Sequence, residues 1–168
     1  METLPNKSLT KNIKLYDVIG GASMPPEGNA LAWRHIAEFN EARMLALCQA
    51  IEKVFEEVNV IFRPRNNNKK ITFIIGSGFR PRAWELLRGR SGESRHVQSD
   101  ALDVIPSNCS AKLAVEIIQW MHARCFPRAG GWSGGFAISP PTMTGKNITR
   151  IGFAHFDNRG VVARWTYK

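Results

Sequence analysis

The residues best suited to chemistry are a histidine and an aspartate that lie seven positions apart in the chain. His96 ends a polar, irregular stretch, and Asp103 stands inside the apolar run Ala101–Ile105. This run predicts a buried strand, where an ionised carboxylate is costly unless a cation or hydrogen bonds compensate its charge. A Zn²⁺ ion bound jointly by both side chains would supply that compensation.

A second pair of polar residues lies near the C-terminus. His155 and Asp157 are separated by one residue, so along a strand both side chains point to the same face of the sheet. Aromatic neighbours make this a suitable place for a site in a half-buried sheet. On spacing alone, the two pairs are not specific for a metal site. The other histidines, His35 and His122, have no partner at metal-ligand spacing and are interpreted as surface or packing residues.

The composition excludes several classes of protein. The chain has 168 residues, with 23 Lys and Arg against 14 Asp and Glu, and its net charge is +9. No run approaches the ~20 apolar residues that span a membrane. The basic charge predicts attraction to polyanions such as nucleic acid or a bacterial cell wall. The cysteines are Cys48, Cys109 and Cys125. Their unrelated spacings fit neither a metal knuckle nor a disulfide framework and predict inert thiols in a reducing compartment.

Hydrophobic periodicity predicts both helices and strands. Apolar residues at spacings of three and four predict one long amphipathic helix over Asn29–Val58. A similar pattern predicts a second helix over Ala111–Ala123. The runs Ile71–Ile75 and Ala101–Ile105 are rich in apolar residues and predict buried strands.

The two ends of the chain complete this prediction. Residues 1–28 are rich in Pro and Gly and predict an irregular N-terminal arm with one short ordered piece near Ile13–Ile19. The segments Ile148–Phe156 and Val161–Tyr167 flank Asn158–Gly160 and predict a β-hairpin. We therefore expect an α+β protein with a single domain over residues 29–168, in which an antiparallel sheet packs with helices.

Several motifs occur together in an order that resembles a known family. They are Ser77-Gly78-Phe79-Arg80-Pro81, Ser94-Arg95-His96, Ala101-Leu102-Asp103-Val104, Gly130-Gly131-Trp132, Phe153-Ala154-His155-Phe156-Asp157 and Arg164-Trp165. Their order and approximate spacing resemble the zinc D-Ala-D-Ala carboxypeptidase-like superfamily, whose fold is shared with the amino-terminal signalling domain of hedgehog. The resemblance is to its short M15-type peptidases of phages and bacteria and spans about Leu9–Lys168. The linked motifs are more specific together than any one alone.

The resemblance implies a zinc site and an activity. The residues that match the zinc ligands are His96, Asp103 and His155. An alternative alignment makes Asp157 the ligand and His155 the proton-transfer group. The implied reaction is hydrolysis of peptide bonds at D-amino acids in peptidoglycan stems, by a carboxypeptidase or by an endopeptidase such as a phage endolysin.

The resemblance also implies catalytic and substrate-binding residues. Arg80 matches an arginine near the substrate's carboxylate or the developing oxyanion, and Ser94 belongs to the motif beside the substrate. Asp157 matches the acid of the H-x-D pair, and we expect it to move a proton to the leaving amine.

The chain departs from the family pattern at three places. Ser99 stands where the pattern has glycine, and the stretch from Trp84 to Arg90 lacks the usual Asn and Gly-Gly. No E-x-x-H sequence precedes the last histidine. Glu93 and Asp100 are alternative bases, although such residues are more often surface charges of a loop.

Two other functions are compatible with the sequence. One is a non-catalytic, zinc-stabilised binding domain of the same fold, because a fold does not guarantee activity. The other is nucleic-acid binding through the basic loop Arg63–Lys70. The basic residues are scattered and the aromatic residues lie in apolar runs, so we expect no nucleic-acid partner.

The expected partners and location follow from the same observations. We expect a monomer that binds peptidoglycan stem peptides and does not insert into membranes. The N-terminal sequence contains no secretory signal, which predicts a protein made in the cytoplasm. It would act at the bacterial cell wall after release through a membrane pore, as a phage lysis enzyme does.

Overall fold

Helices and strands alternate along the chain. The computed structural model describes residues 6–125 and 133–167, and at Cys125 the backbone alone. The α-helices are α1 (Leu15–Val18), α2 (Pro26–Arg34), α3 (Glu41–Phe62), α4 (Arg82–Leu87) and α5 (Ala111–Cys125). The strands are β1 (Thr72–Ser77), β2 (Ala101–Ser107), β3 (Gly135–Ser139), β4 (Thr142–Thr144), β5 (Asn147–Arg150), β6 (Phe153–Asp157) and β7 (Ala163–Thr166). Short 3₁₀ turns cover Ile36–Glu38 and Pro64–Asn66.

Five strands form one sheet in the order β1-β2-β6-β3-β7. The pairs β1–β2, β2–β6 and β3–β6 are antiparallel, whereas β7 runs parallel to β3. Strands β4 and β5 form a separate antiparallel hairpin. Because β6 is paired on both edges, its residues from Ala154 to Asp157 are buried in the middle of the sheet.

The hydrophobic core lies between the sheet and helices α3 and α5. Helix α3 buries one apolar face, formed by Met44, Leu47, Cys48, Ile51, Phe55, Val58 and Phe62. Phe55 stacks on Phe73 of β1 with the ring centroids 3.7 Å apart. Phe62 meets Trp120 of α5 edge to face at 5.8 Å. This packing fixes the sheet, and with it the polar residues of β2 and β6.

The prediction of an α+β domain with a helix-packed sheet is confirmed. The strands predicted over residues 71–75 and 101–105 correspond to β1 and β2, and the helix predicted over 111–123 corresponds to α5. The sheet is antiparallel at three of its four pairings, and the β3–β7 pairing is parallel.

The long helix predicted over residues 29–58 was wrong as a single element. Helix α2 begins earlier, at Pro26, whose fixed φ angle suits the first helical position. Helix α3 starts anew because the Asn40 side chain accepts a hydrogen bond from the backbone N–H of Arg43 at 3.1 Å. Phe39, in the connection, keeps the apolar spacing, so periodicity alone does not reveal the interruption.

The predicted C-terminal hairpin was also wrong. Residues 148–156 divide between β5 and β6, which belong to different sheets. Strand β7 pairs with β3, and Trp165 lies opposite Ala137. The physical reason is that β6 is already hydrogen-bonded to β2 and β3 and has no free edge for β7.

The N-terminal segment belongs to the same core as the rest of the chain. Ile13 and Val18 are almost fully buried. Ile19 forms a parallel β-bridge with Phe79, just after β1. The predicted arm over residues 1–28 therefore ends inside α2, and its described part packs against the segment that leads to the site.

Two further predictions concern membranes and cysteines. Within residues 6–125 and 133–167, no helix is both long and apolar enough to cross a bilayer.

Cys48 and Cys109 are free thiols, and burial raises the pKa of Cys48 to about 12. Such a thiol stays protonated and unreactive at neutral pH. The Cys125 side chain lies outside the described part of the chain.

Candidate metal centre

Two strands bring an aspartate and a histidine together. In the antiparallel pairing of β2 with β6, Asp103 stands directly opposite His155, so both side chains leave the same face of the sheet. His155 Nδ1 lies 2.7 Å from Asp103 Oδ1. On the other edge of β6 the residue opposite His155 is Ala137, whose small side chain leaves room for the imidazole.

The third side chain comes from the loop before β2. His96 donates from Nδ1 to the Gly78 carbonyl oxygen at 2.7 Å, and its Nε2 faces Asp103 Oδ1 at 3.5 Å. Only glycine fits at residue 78, because a Cβ there would collide with the Val18 carbonyl. The backbone N–H of Arg80 donates in turn to the His96 carbonyl oxygen at 3.3 Å. This segment therefore determines which His96 nitrogen is available to a ligand.

The three predicted ligands converge in the structure. One ligand atom from each of His96, Asp103 and His155 lies within 4.8 Å of the others. The three residues are 2%, 8% and 3% exposed, respectively. Two imidazoles and a carboxylate form a donor set that is typical of metal sites with an open coordination position. The group could therefore hold a metal ion, whereas His35 and His122 do not belong to it.

Burial and charge pairing set the protonation of the group. Burial lowers the pKa of His96 against the opposing effect of Asp103, so its imidazole is neutral, the form that binds metals. Burial acts to raise the pKa of Asp103, but the two neighbouring imidazoles hold that pKa well below its usual range. For His155, burial is outweighed by hydrogen bonds to Asp103 and Asp157, which raise its pKa. A bound cation would take over the charge compensation that the His155 proton otherwise provides.

Two clefts meet at these three side chains. The larger cleft has a volume of about 800 Å³, and Asp103 lines it. The smaller cleft has a volume of about 410 Å³, and His96 and His155 line it. The residues that line both are Arg80, Glu93, Ser94 and Tyr167. The group of potential ligands is thus divided between the two clefts and lies where they join.

Asp157 lies behind His155, away from the clefts. Its Oδ2 is 3.1 Å from His155 Nε2, and the Arg159 guanidinium contacts both carboxylate oxygens at 2.8 and 2.5 Å. The backbone N–H of Gly135 also donates to Asp157, at 3.1 Å. A buried carboxylate placed in this way orients a metal-binding histidine. In this arrangement Asp157 is placed to orient His155, and its expected roles in proton transfer or as a metal ligand stay predictions.

The predicted substrate-binding residues Arg80 and Ser94 line both clefts. Arg80 Nη2 donates to Ser94 Oγ at 3.5 Å, and Arg80 Nε lies 3.1 Å from Glu85 Oε1. Glu85, in α4, is 1% exposed and also binds Arg90 at 2.9 Å. Burial lowers the pKa of Arg80, with Asp103 and Glu85 opposing the shift. The guanidinium still stays charged and is held at the junction by a buried carboxylate.

Ser99 keeps the backbone turn for which the family pattern has glycine. Its φ angle is +58°, in the left-handed region that glycine favours. The buried Oγ of Ser99 accepts a hydrogen bond from the backbone N–H of Asn40 at 2.9 Å. The departure therefore leaves the turn intact and ties it to the start of α3.

The position three residues before His155 has no room for a side chain. Residue 152 is Gly with a φ of +87°, and a Cβ there would collide with the Ser139 carbonyl oxygen. Of the two alternative bases, Asp100 is 4% exposed and pairs with Arg95 at 2.5 Å, away from both clefts. Glu93 is the only carboxylate among the described residues that lines both clefts.

Sequence reasoning missed Tyr167, which lines both clefts. Its ring centroid lies 6.2 Å from that of His155, and its backbone N–H donates to the Ile138 carbonyl oxygen at 2.9 Å. Burial, with a further contribution from Asp103, raises the pKa of Tyr167 to about 12, so the hydroxyl is protonated at neutral pH. One feature of the sequence could have identified it. Tyr167 lies two residues after Trp165, a spacing that places both side chains on the same face of an extended strand, and the Trp165 ring lies 5.3 Å from His155.

Comparisons with known proteins add no relative. No family model matches the chain, and neither curated proteins nor solved structures give a significant match. The family resemblance therefore depends on the motifs themselves, of which Gly130-Gly131-Trp132 lies outside the described residues.

Proposed function

We propose that the protein is a zinc metallopeptidase that hydrolyses peptide bonds at D-amino acids in peptidoglycan stem peptides. The observation that carries this proposal is the convergence of His96, Asp103 and His155 where two clefts join. A structural metal is usually enclosed by four protein ligands, whereas a catalytic one keeps a position open toward substrate. The motif order supports membership of the D-Ala-D-Ala carboxypeptidase-like superfamily with its hedgehog-like fold.

The residues around the junction have complementary roles in this reaction. Zinc, when bound, supplies a Lewis acid and lowers the pKa of water toward ~7. Arg80, held by Glu85 and Ser94, places a positive charge where the carbonyl oxygen becomes negative. The protonated Tyr167 hydroxyl donates a hydrogen bond to the substrate. Glu93 accepts the proton of the attacking water and returns it to the leaving amine.

The net charge of +9 supports a polyanionic target such as the cell wall. Attraction of this kind is screened by salt, with a Debye length of ~8 Å at physiological ionic strength. In this proposal the protein acts as a monomer on the wall after release from the cytoplasm through a pore, as a phage endolysin does.

The test is digestion of purified cell walls, followed by mass spectrometry of the released muropeptides. We expect the zinc-loaded protein to cut stem peptides and a chelator to stop it. His96→Ala, Asp103→Ala and His155→Ala should each lose both zinc and digestion. His35→Ala, at an exposed histidine paired with Glu38, is the matched control and should keep both. Normal zinc content and digestion in all three ligand variants would defeat the proposal.

A non-catalytic zinc-stabilised binding domain is the second candidate function. It is favoured by the pairing of the carboxylates that could act as a base. The Glu93 side chain is 69% exposed and paired with Arg82, and the buried Glu85 is paired with Arg80 and Arg90. This alternative predicts zinc-dependent binding to walls without any released muropeptide. Muropeptide release by the unmodified protein separates the two candidates, and loss of that release in a Glu93→Gln variant that still binds walls assigns the base to Glu93.

A further inference from the structure

A small pocket opens beside the proposed zinc ligands. It has a volume of about 190 Å³ and is lined by Ser23, Gly76, Asp103, Ile105, Arg150, Gly152 and Phe153. We call it the Arg150 pocket. It shares Ser23, Asp103, Arg150 and Phe153 with the larger cleft, so a group bound in that cleft can reach into it.

Arg150 is the positive charge of this pocket and is an exposed residue, whereas Asp103, whose charge the two imidazoles compensate, is the negative one. Arg150 ends β5, and its Nη2 donates to Ser139 Oγ at 3.4 Å. Among the described residues no carboxylate forms a salt bridge with it, in contrast to Arg80 and Arg90, which share Glu85. A guanidinium without an acidic partner favours an anionic ligand, and a carboxylate fits its planar set of donors.

Part of the space in the pocket depends on a glycine in its wall, Gly76. A Cβ at Gly76 would lie 2.9 Å from Ser23 Oγ and 3.4 Å from Ile105 Cδ1, and would therefore fill part of the pocket. The neighbouring Ser77 is 5% exposed and lines the larger cleft, and its Oγ has no hydrogen-bond partner among the described residues. A buried polar atom of this kind is costly unless a ligand or solvent satisfies it.

The position of the pocket relative to the junction indicates where along a substrate the anionic group lies. The smaller cleft continues past the ligands on the His96 and His155 side, whereas the Arg150 pocket lies on the Asp103 side. A chain whose scissile bond lies at the junction can therefore extend in both directions. Arg80 lies at the junction, where the proposed function assigns it to the developing oxyanion, so it does not serve as the binding site for a terminal carboxylate.

We propose that the Arg150 pocket binds a carboxylate carried by an internal residue of an acidic peptide substrate, an assignment that rests on the proposed peptidase function. Arg150 is then a specificity-determining residue, and the enzyme is an endopeptidase whose substrate occupies both clefts. Peptidoglycan stem peptides have the required chemistry, because they carry a free carboxylate on their internal glutamate.

The experiment is calorimetric titration of the chelator-treated full chain, in which no cleavage is expected, with the synthetic stem peptide L-Ala–γ-D-Glu–L-Lys–D-Ala–D-Ala. A second peptide has only its C-terminus amidated, and a third has only its glutamate carboxylate amidated. We expect amidation of the glutamate to weaken binding by about tenfold, the effect of losing one charge-assisted contact. Amidation of the C-terminus should change binding by less than about twofold.

Three variants assign the effect to the pocket. Arg150→Gln should weaken binding of the unmodified peptide by about tenfold and leave binding of the glutamate-amidated peptide unchanged. Gly76→Ala, which fills the pocket and keeps the charge, should also weaken binding of the unmodified peptide. Arg34→Gln is the matched control, because Arg34 is exposed at the end of α2 and lines none of these cavities, and it should bind as the unmodified protein does.

The outcomes separate this inference from the proposed function. Equal binding of the unmodified and glutamate-amidated peptides, or an Arg150→Gln variant that binds normally, would overturn the pocket assignment even where walls are digested. Loss of binding on C-terminal amidation alone would overturn the internal position of the carboxylate. Failure of the zinc-loaded protein to digest walls would defeat the proposed function, while the binding differences would still establish a carboxylate site.

Discussion

The His155 ring lies between two carboxylates that have different consequences for a metal ion. Asp103 faces Nδ1 and Asp157 faces Nε2. A proton on Nε2 that is donated to Asp157 leaves the lone pair of Nδ1 directed toward Asp103. Arg159 compensates the charge of Asp157, which is necessary because that carboxylate is fully buried.

Asp157→Asn tests this positioning role. The amide has nearly the same shape but loses the negative charge that favours the correct His155 tautomer. We expect zinc affinity to fall by about 10- to 100-fold without being abolished, measured by competition with a chromogenic chelator. The control is Asp17→Asn, at an exposed residue of α1, which should bind zinc normally. Unchanged affinity in Asp157→Asn, or a complete loss like that expected for His155→Ala, would contradict the assignment.

The N-terminal segment influences the site through backbone hydrogen bonds to the residues that follow β1. The N–H groups of Gly78 and Phe79 donate to the carbonyl oxygens of Gly20 and Val18, both at 2.6 Å. The Gly78 carbonyl in turn fixes His96. A segment far from the site in sequence therefore sets the orientation of one potential ligand.

Gly78→Ala tests whether the packing of the N-terminal segment against Gly78 affects metal binding. The added Cβ meets the Val18 carbonyl and forces the two segments apart, which should destabilise the fold by about 1–3 kcal/mol in urea denaturation. It should also weaken zinc binding, because the acceptor of His96 Nδ1–H moves. Gly145→Ala, at a positive-φ position with open space around it, is the control and should leave zinc binding unchanged. Equal effects of the two variants would argue against the coupling.

At the scale of the whole molecule, a metal ion would connect three separate parts of the chain. His96 comes from the loop before β2, Asp103 from β2 and His155 from β6. A ligand that binds only the folded state stabilises it by ~4 kcal/mol at a thousandfold excess over its dissociation constant. We expect zinc to raise the melting temperature and a chelator to reverse the change, measured by thermal denaturation. His96→Ala should show no such increase, and an increase of normal size in that variant would place the zinc elsewhere.

Several residues of the site could be predicted from sequence because short local patterns contain them. The isolated acid in Ala101–Ile105 and the spacing of His155 from Asp157 identify residues whose strand positions follow from alternation alone. Residues that reach the site through the pairing of strands far apart in sequence could not be predicted. Strand β7 joins β3 because β6 has no free edge, and only that pairing brings Tyr167 to the clefts.

The other differences between the predicted and the observed structure also come from contacts that sequence patterns do not show. The break before α3 depends on a cap at Asn40, which an uninterrupted apolar period conceals. The contacts of Asp157 with Arg159 and Gly135 could not be predicted either, because Gly135 lies on a different strand, far away in sequence. Arg150 belongs to no motif, and its importance follows only from the cavity it lines.

Zinc binding by the three side chains can be observed in a crystal structure of the zinc-loaded protein with anomalous scattering recorded at the zinc edge. We expect one zinc peak bound by His96 Nε2, His155 Nδ1 and the Asp103 carboxylate, at distances of ~2.0–2.2 Å. A peak elsewhere, or no peak within bonding distance of these three side chains, would contradict this expectation.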